Sequence, residues 1–365
     1  MSAPELSLII PTYNEAENIA TVISRVDQAL ASRCHYELIV VDDNSPDGTY
    51  RIAADLSSRY PVRVVVRHRE RGLASAVVHG FNCARGEVLG VIDADLQHPP
   101  ELLPELLEYI RHGADVVVPS RYEPGGGIRE WARRRLLVSR VATTLAHWLL
   151  PSSRKASDPL SGFFLVKRRA IAGVKFNPIG YKILLEILVR GRVEQVVSVP
   201  YTFGRREAGK SKYGIREQVN YLRHILRLLP ADSEVRRFIK FCLVGASGIL
   251  VNMGLLWLLT EVAGLFYLVS AAIAIETSIT SNFVWNDIWT FRERRTGGKR
   301  AALVRWLKFN AVSAGGIGIN LALLWLLTEI AGIHYLISNL CGIIAAALWN
   351  FAANVSWTWR RITSR

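Results

Sequence analysis

Cysteine is scarce and scattered. The four in 365 residues, Cys34, Cys83, Cys242 and Cys341, show no metal-ligand spacing and two sit in apolar stretches. Neither a zinc site nor a disulfide framework is indicated, and a reducing compartment fits. A basic n-region followed by a long apolar h-region is also missing: MSAPELSLIIPTYNE runs directly into a first β-strand. No signal peptide is indicated, and the N-terminal domain is expected to stay in the cytosol. Acid is the minority charge, with 31 Asp+Glu against 45 Lys+Arg and a formal net charge of +14. Such an excess fits nucleic acid, anionic lipid headgroups or a phosphorylated substrate, and its distribution must choose among them. Membrane-length apolar runs are lacking before Phe238 and dominate after it.

What the first part does contain is an alternation. LSLII, a helix from about Glu15 to Ser32, ELIVV, a helix over Thr49 to Tyr60, VRVVVRH, a helix near Leu73 to Ala84, VLGVID, a helix after Pro100 and ADVVVP follow one another. This order predicts an open α/β sheet of parallel strands with ligands beyond the strands' carboxyl ends. Four polar signatures fall there: PTYNE, DDNSPDGT, DADLQH and PSRY. Loops are usually polar, so their joint placement carries the argument.

DADLQHPP ends an apolar run with two carboxylates one residue apart. Alternation along a strand would point Asp93, Asp95 and Gln97 to one side. Two unpaired carboxylates there would repel, and a divalent cation is the usual way to keep both ionised, with oxygen donors suiting Mg²⁺ or Mn²⁺. The plainer alternative is a helix N-cap before PPELLPELLEYI, for which one Asp would suffice.

The last third holds four apolar stretches of membrane-crossing length, about 238–260, 265–288, 306–328 and 333–355. It is also a repeat: LLWLLTE at 255–261 returns at 323–329, Asn252 matches Asn320, and NFVWNDIWTFR matches NFAANVSWTWR without a gap. A duplicated two-helix hairpin explains this. Basic EVRRFIK, RERRTGGKRAALVR and WRRITSR should lie on the cytosolic side, with the turns near Ala263 and Ala331 outside. Glu276, matched by Ile344, stands in the second span, where charge is expensive. It either handles a lipid phosphate or proton, or hydrogen-bonds its neighbours inside the bundle. The asparagines Asn252, Asn282, Asn286, Asn320, Asn350 and Asn354 are expected to bridge helices. The expected organisation is a catalytic domain over 1–212, interfacial amphipathic linker helices over 213–237, and a four-span domain over 238–365.

Two segments mix arginine with tryptophan and leucine. Residues 128–150 set Trp131, Leu137, Val141 and Trp148 among Arg129, Arg133, Arg134, Arg135 and Arg140; residues 213–229 do the same with Arg216, Arg223 and Arg227. Next to membrane spans, such helices suit the bilayer surface, against the alternative of a core-facing helix with a solvated basic face. GRREAGKS at 204–211 satisfies a phosphate-loop pattern literally. Its interior is Arg-Arg-Glu-Ala where small residues are needed, and the chain enters the membrane too soon for a nucleotidase sheet, so a nucleoside triphosphatase is argued against. Arg206, Lys210 and Lys212 can still meet a phosphate.

The motifs PTYNEAENI, VVDDNSPDGT, GLASAVVHGF, DADLQHPPE, SRY, DPLSGFF, GYKILLEIL and FGRREAGKSK resemble those of dolichyl-phosphate (polyprenyl-phosphate) mannose synthases, inverting glycosyltransferases of the GT-A fold. The last third resembles the GtrA-type four-helix membrane domain some members carry. Together they cover nearly the whole chain. The resemblance implies an α/β GT-A sheet with helices on both faces, followed by an all-α transmembrane domain. It places Pro11, Tyr13, Glu15, Val41 and Asp43 at the nucleoside, and Asp93, Ala94 and Asp95 at ribose and diphosphate. Asp95 and Gln97, with Asp93, become ligands for Mg²⁺ or Mn²⁺. Arg206 and Lys212 would clamp the diphosphate, and Lys182 would lie near the sugar. Arg121, Arg135 and Ser139 would bind the acceptor lipid's phosphate, a bidentate task suited to arginine. Donor and acceptor are then GDP-mannose and dolichyl or polyprenyl phosphate, with UDP-glucose or another nucleotide sugar as the alternative donor. An anionic phosphate needs no general base, so in-line displacement with inversion is expected.

Other classes fit less well. A processive polysaccharide synthase should carry Q-x-x-R-W, and the one Arg-Trp pair, Arg305-Trp306, lacks the Gln. A lipid-binding or flipping module describes the membrane part alone. Nucleic-acid binding is disfavoured because the arginines sit with tryptophan and leucine beside membrane spans.

Overall fold

The computed structural model describes residues 3–128, 133–204, 214–230 and 233–360, which form two compact units, one ending at Leu229 and one starting at Pro230. In the first unit the strands are β1 (Leu6–Thr12), β2 (Tyr36–Asp42), β3 (Val62–Val66), β4 (Val88–Val91), β5 (Val116–Ser120), β6 (Gly127–Ile128), β7 (Phe164–Lys167), β8 (Val196–Pro200) and β9 (Thr202–Phe203). Seven of them make one sheet in the order β3-β2-β1-β4-β7-β5-β8, and β6 pairs with β9 separately. Apolar side chains cover both faces. Leu6, Leu8, Ile10, Leu38 and Val40 belong to one core, while Ile9, Ile39 and Val41 belong to the other, which is why these strands read as unbroken apolar runs.

The expected all-parallel sheet is corrected by β7, which runs antiparallel to both β4 and β5. Four residues, FLVK, leave no periodicity from which a direction can be read. The remaining pairings within the large sheet are parallel. The carboxyl ends of β1, β2, β4 and β5 therefore open on one side of the sheet, where the polar loops gather.

The second unit contains four helices long and apolar enough to cross a membrane: Glu234–Val262, Tyr267–Thr290, Lys299–Ile330 and Tyr335–Thr358. The first and third begin earlier than the apolar pattern indicates, because a basic turn with Arg237 or Arg305 precedes each run. The repeat is kept in three dimensions. All four helices end in a wider turn, at Leu258–Val262, Asn286–Thr290, Leu326–Ile330 and Asn354–Thr358. A Cβ on Gly248 would lie 2.4 Å from the Asn282 amide, and one on its mate Gly316 would lie 2.5 Å from Asn350. Glycine is what lets the helices of each hairpin approach this closely. Mates also meet each other: Phe291 stacks on Trp359 at 4.4 Å and 12°, inside a cluster completed by Phe283, Phe309, Phe241 and Phe351.

Two expectations change here. Asn286 and Asn354 do not bridge helices; each donates to the carbonyl four residues earlier on its own helix, where the widened turn releases it. Glu276 is not inside the bundle. Ser270, Ala274 and Ser278 mark the buried stripe of its helix, and residue 276, two positions from each of the last two, falls on the opposite, exposed face. Asp287, whose mate is Val355, is instead a buried carboxylate: it accepts from Arg305 Nε at 2.9 Å and from Trp359 Nε1 at 3.0 Å, and pairs with Arg295 at 3.2 Å.

Candidate active site

Strand β4 stops at Val91, so the one-sided alternation expected of Asp93, Asp95 and Gln97 does not operate. A turn gathers them instead. Leu96 takes a left-handed conformation (φ 60°), and the Gln97 amide donates back to Asp95 Oδ1 at 3.1 Å. Neither aspartate caps the helix, whose first turn starts at Pro100 after Pro99. Asp95 and Gln97 are buried, at 7% and 8% exposure, and Ala94 is buried between them and Asp93. Gln97 Nε2 is tied to the Gly204 carbonyl at 3.2 Å, which leaves its amide oxygen as an acceptor for a ligand.

Asp93 is held from behind by His98, whose Nε2 stands 3.6 Å from Oδ2 while Nδ1 meets the Tyr201 hydroxyl at 3.0 Å. Its other oxygen, Oδ1, is buried with no hydrogen-bond partner among the described residues. Gly162 of the DPLSGFF stretch makes room, since a Cβ there would sit 2.6 Å from Asp93 Oδ2. Among the described residues no three His, Cys, Asp or Glu side chains converge as a metal site. Two carboxylates and an amide oxygen are nevertheless the donor set that suits Mg²⁺ or Mn²⁺ when substrate oxygens and water complete the shell. The residues fit such an ion.

Around this turn lie cations. Arg121, at the end of β5, donates through Nε to Asp158 Oδ2 at 2.7 Å, with side chains 8% and 0% exposed. Burial pulls the guanidinium's pKa down, and Asp158 more than reverses this, so it stays charged. The face of Phe203 lies 5.3 Å from it. Lys182 donates to the Leu160 carbonyl at 2.7 Å. Burial and the nearby Arg121 bring its ammonium down to about 8, against the pull of Asp158 and Asp93 and with Arg135 adding like charge. Tyr201 is raised by burial, with Asp158, Asp93 and Asp95 adding to the shift against Arg121. Ser139 meets the Tyr122 hydroxyl at 2.8 Å, and Arg135 lies one helical turn before it in Arg133–Leu149. The predicted Arg121, Arg135, Ser139 and Lys182 are thus brought to one place beside Asp93 and Asp95.

The residues expected at the nucleoside lie at the neighbouring strand ends. Pro11 and Val41 are register partners on β1 and β2, and Val41 is fully buried beneath the crevice floor. Tyr13 stands under the Arg71 guanidinium at 5.1 Å. Glu15 accepts from Asn18 at 2.8 Å, and its amide donates to Thr49. Asp43 is engaged on both oxygens, by Arg67 Nε at 2.8 Å and by the Gly72 amide at 2.8 Å. Asp42 ties the two loops together by accepting from Thr12 and Ser45. Arg206, Lys210 and Lys212 lie outside the described residues, as do Arg129 and Trp131. Arg67, His98, Asp158, Gly162 and Tyr201 carry the site without having been singled out individually. His98, Asp158 and Gly162 lie within the quoted motifs DADLQHPPE and DPLSGFF, and the two-residue spacing of Tyr201 and Phe203 offers a signal of strand alternation.

Residues 7–172 match the family model "Glycosyl transferase family 2", and residues 240–359 match "GtrA/DPMS, transmembrane domain". The chain is therefore a glycosyltransferase unit joined to a multi-pass membrane unit. A dolichol-phosphate mannosyltransferase of Pyrococcus furiosus is 46% identical over 97% of this chain and 99% of its own length. That of Saccharomyces cerevisiae is 38% identical over 61% of this chain and 86% of its own. A polyprenol monophosphomannose synthase of Mycolicibacterium smegmatis is 39% identical over 56% and 79%. Among solved structures, glucosyl-3-phosphoglycerate synthase from Mycobacterium tuberculosis with Mn²⁺, UDP and glucosyl-3-phosphoglycerate aligns with 63% of this chain and 82% of its own at 22% identity and a TM-score of 0.49.

Proposed function

The chain belongs to the dolichol-phosphate mannosyltransferases, and from that premise we propose that it transfers mannose from GDP-mannose to a dolichyl or polyprenyl phosphate, with inversion, at the cytosolic face of the membrane. The observation that carries this reading is the grouping of Arg121, Lys182, Arg135 and Ser139 beside the Asp93–Gln97 turn, a place for two phosphorylated molecules. Asp93, Asp95 and Gln97 would hold Mg²⁺ or Mn²⁺, which would neutralise the donor's diphosphate there. Arg121, oriented through Nε by Asp158, would present its guanidinium to the acceptor phosphate, with Arg135 and Ser139 beside it.

The chemistry needs no proton transfer. A phosphate oxygen of the acceptor forms a bond to the anomeric carbon on the face opposite the nucleotide, while the bond from that carbon to the diphosphate breaks and its electron pair leaves with GDP. The acceptor is already an anion near neutral pH. Positive charge from Arg121 and Lys182 offsets the repulsion between two anions, and their fixed placement costs no reorganisation during the step. The helices Arg133–Leu149 and Ile215–Leu228 would rest on the bilayer, with Leu137, Val141, Trp148, Val219 and Leu222 exposed among arginines.

Purified protein given GDP-mannose, GDP-glucose or UDP-glucose, each with a polyprenyl phosphate and Mg²⁺ or Mn²⁺, tests the reading. Mannosyl lipid from GDP-mannose alone is expected, and glucosyl lipid as the dominant product would replace it. Asp95→Ala should reduce turnover by roughly a thousandfold with thermal unfolding unchanged.

A further inference from the structure

The helix Ile215–Leu228 has a second face. While Val219, Leu222 and Arg223 are exposed, Glu217, Asn220 and His224 form a stripe at three- and four-residue spacing on the other side, with His224 buried and the exposed Arg227 at its edge. His224 and Arg227 hydrogen-bond to the segment NPIG, residues 177–180, and Glu217 and Asn220 lie beside its Gly180; the segment leads directly into Tyr181 and Lys182.

The contacts are specific. Arg227 donates to the Asn177 carbonyl at 3.0 Å. His224, only 1% exposed, has Nδ1 3.0 Å from both the amide nitrogen and the carbonyl oxygen of Ile179. Gly180 has φ 76°, and a Cβ there would touch Asn220 and Glu217 at 3.4 Å. From below, Glu186 accepts from the Asn177 amide at 2.9 Å and lies 3.7 Å from His224 Nε2. The backbone of this segment is thus held by the amphipathic helix at Asn177 and Ile179, and by Glu186 from below. The next two residues place Lys182 against the Leu160 carbonyl and 4.2 Å from the Tyr181 ring.

We propose that His224 and Arg227 are positioning residues for Lys182: the helix grips segment 177–180 and so fixes the lysine against the donor sugar. This rests on the reading of Lys182 as a donor-site residue. The helix that would lie on the bilayer and the lysine that would meet the sugar are separated by four residues of gripped backbone.

Kinetics with GDP-mannose, Mn²⁺ and a polyprenyl phosphate decide the matter. His224→Leu should raise the donor KM about tenfold while the acceptor KM stays put, since it leaves the Ile179 amide buried without an acceptor. His224→Asn, whose amide oxygen can take the place of Nδ1, should return the donor KM to within about twofold of wild type. Arg227→Met, at an exposed position that leaves folding intact, should raise the donor KM about threefold. Because the effect passes through the lysine, His224→Leu added to Lys182→Met should change little beyond Lys182→Met alone.

The proposal falls if Lys182→Met raises the donor KM and neither His224→Leu nor Arg227→Met does, or if the double variant is additive. Should Lys182→Met leave the donor KM unchanged, the donor-site reading of Lys182 fails first and the positioning role goes with it. If His224→Leu does not fold, the donor KM of Arg227→Met alone decides: a rise supports the grip, and an unchanged value overturns it.

Discussion

The two units bury charge in different ways. In the first, Asp158–Arg121 and Asp43–Arg67 stand at strand ends around a crevice, and no internal symmetry relates them. In the second, several buried polar groups come in matched pairs: Asn282 with Asn350, Asn286 with Asn354, Thr290 with Thr358, Arg237 with Arg305. Repetition marks a packing role, because a group needed to hold one hairpin is needed again in its copy. Departure from the repeat, as at Asp287 opposite Val355, marks a task performed once: a lock between hairpins that joins Arg305 of the second to Asp287 of the first.

The sharpest way to break this comparison is to remove one acid from each unit. Asp158→Ala and Asp287→Ala both strand a buried arginine and should each cost about 3–5 kcal/mol in chemical unfolding. Only Asp158→Ala should also lower kcat/KM in the molecules that remain folded; an equal kinetic loss from both would erase the distinction. Next in size, Gly248→Leu and Gly316→Leu push a side chain into Asn282 and Asn350 and should each cost about 1–3 kcal/mol, equally, in thermal denaturation of the detergent-solubilised protein. Unequal costs would mean that the hairpins are not mechanically alike.

The smallest effect concerns pH. Lys182, brought down to about 8, carries its charge below that value and loses it above. Donor kcat/KM should fall about tenfold per unit as pH rises past 8, and Lys182→Arg should move the fall upward. Stability should run the other way: the unfolded lysine still binds a proton up to about pH 10.4, so the native state gains over that window as pH rises. An unfolding series from pH 7 to 10 separates the two trends.

Much of this was legible in the sequence, for identifiable reasons. Strands buried on both faces are continuous apolar runs, so β1, β2 and β5 declare themselves. The 255–261 and 323–329 match reveals the hairpins because lipid-facing helices keep composition and length together. Asp93 and Asp95 were visible as residue types. What escaped was long-range or conformational. A left-handed Leu96 cannot be foreseen where glycine is the usual occupant. Asp158 and Arg121 are 37 residues apart, and His98 and Tyr201 are 103 apart, so nothing local announces either contact. Of the two alternatives for Glu276, the bundle-interior one fails because the phase of the residue on its helix places it on the exposed face.

The stack of Phe291 on Trp359 carries a consequence for how the membrane unit came to be. Equivalent positions touching each other are what a self-complementary dimer of single hairpins would show, with identical rings facing across its axis. In such an ancestor a carboxylate at position 287 would have arrived twice, once per protomer. Carrying both hairpins in one chain lifts that constraint: position 287 can be acidic while its mate 355 is aliphatic, and the pairing does not depend on concentration.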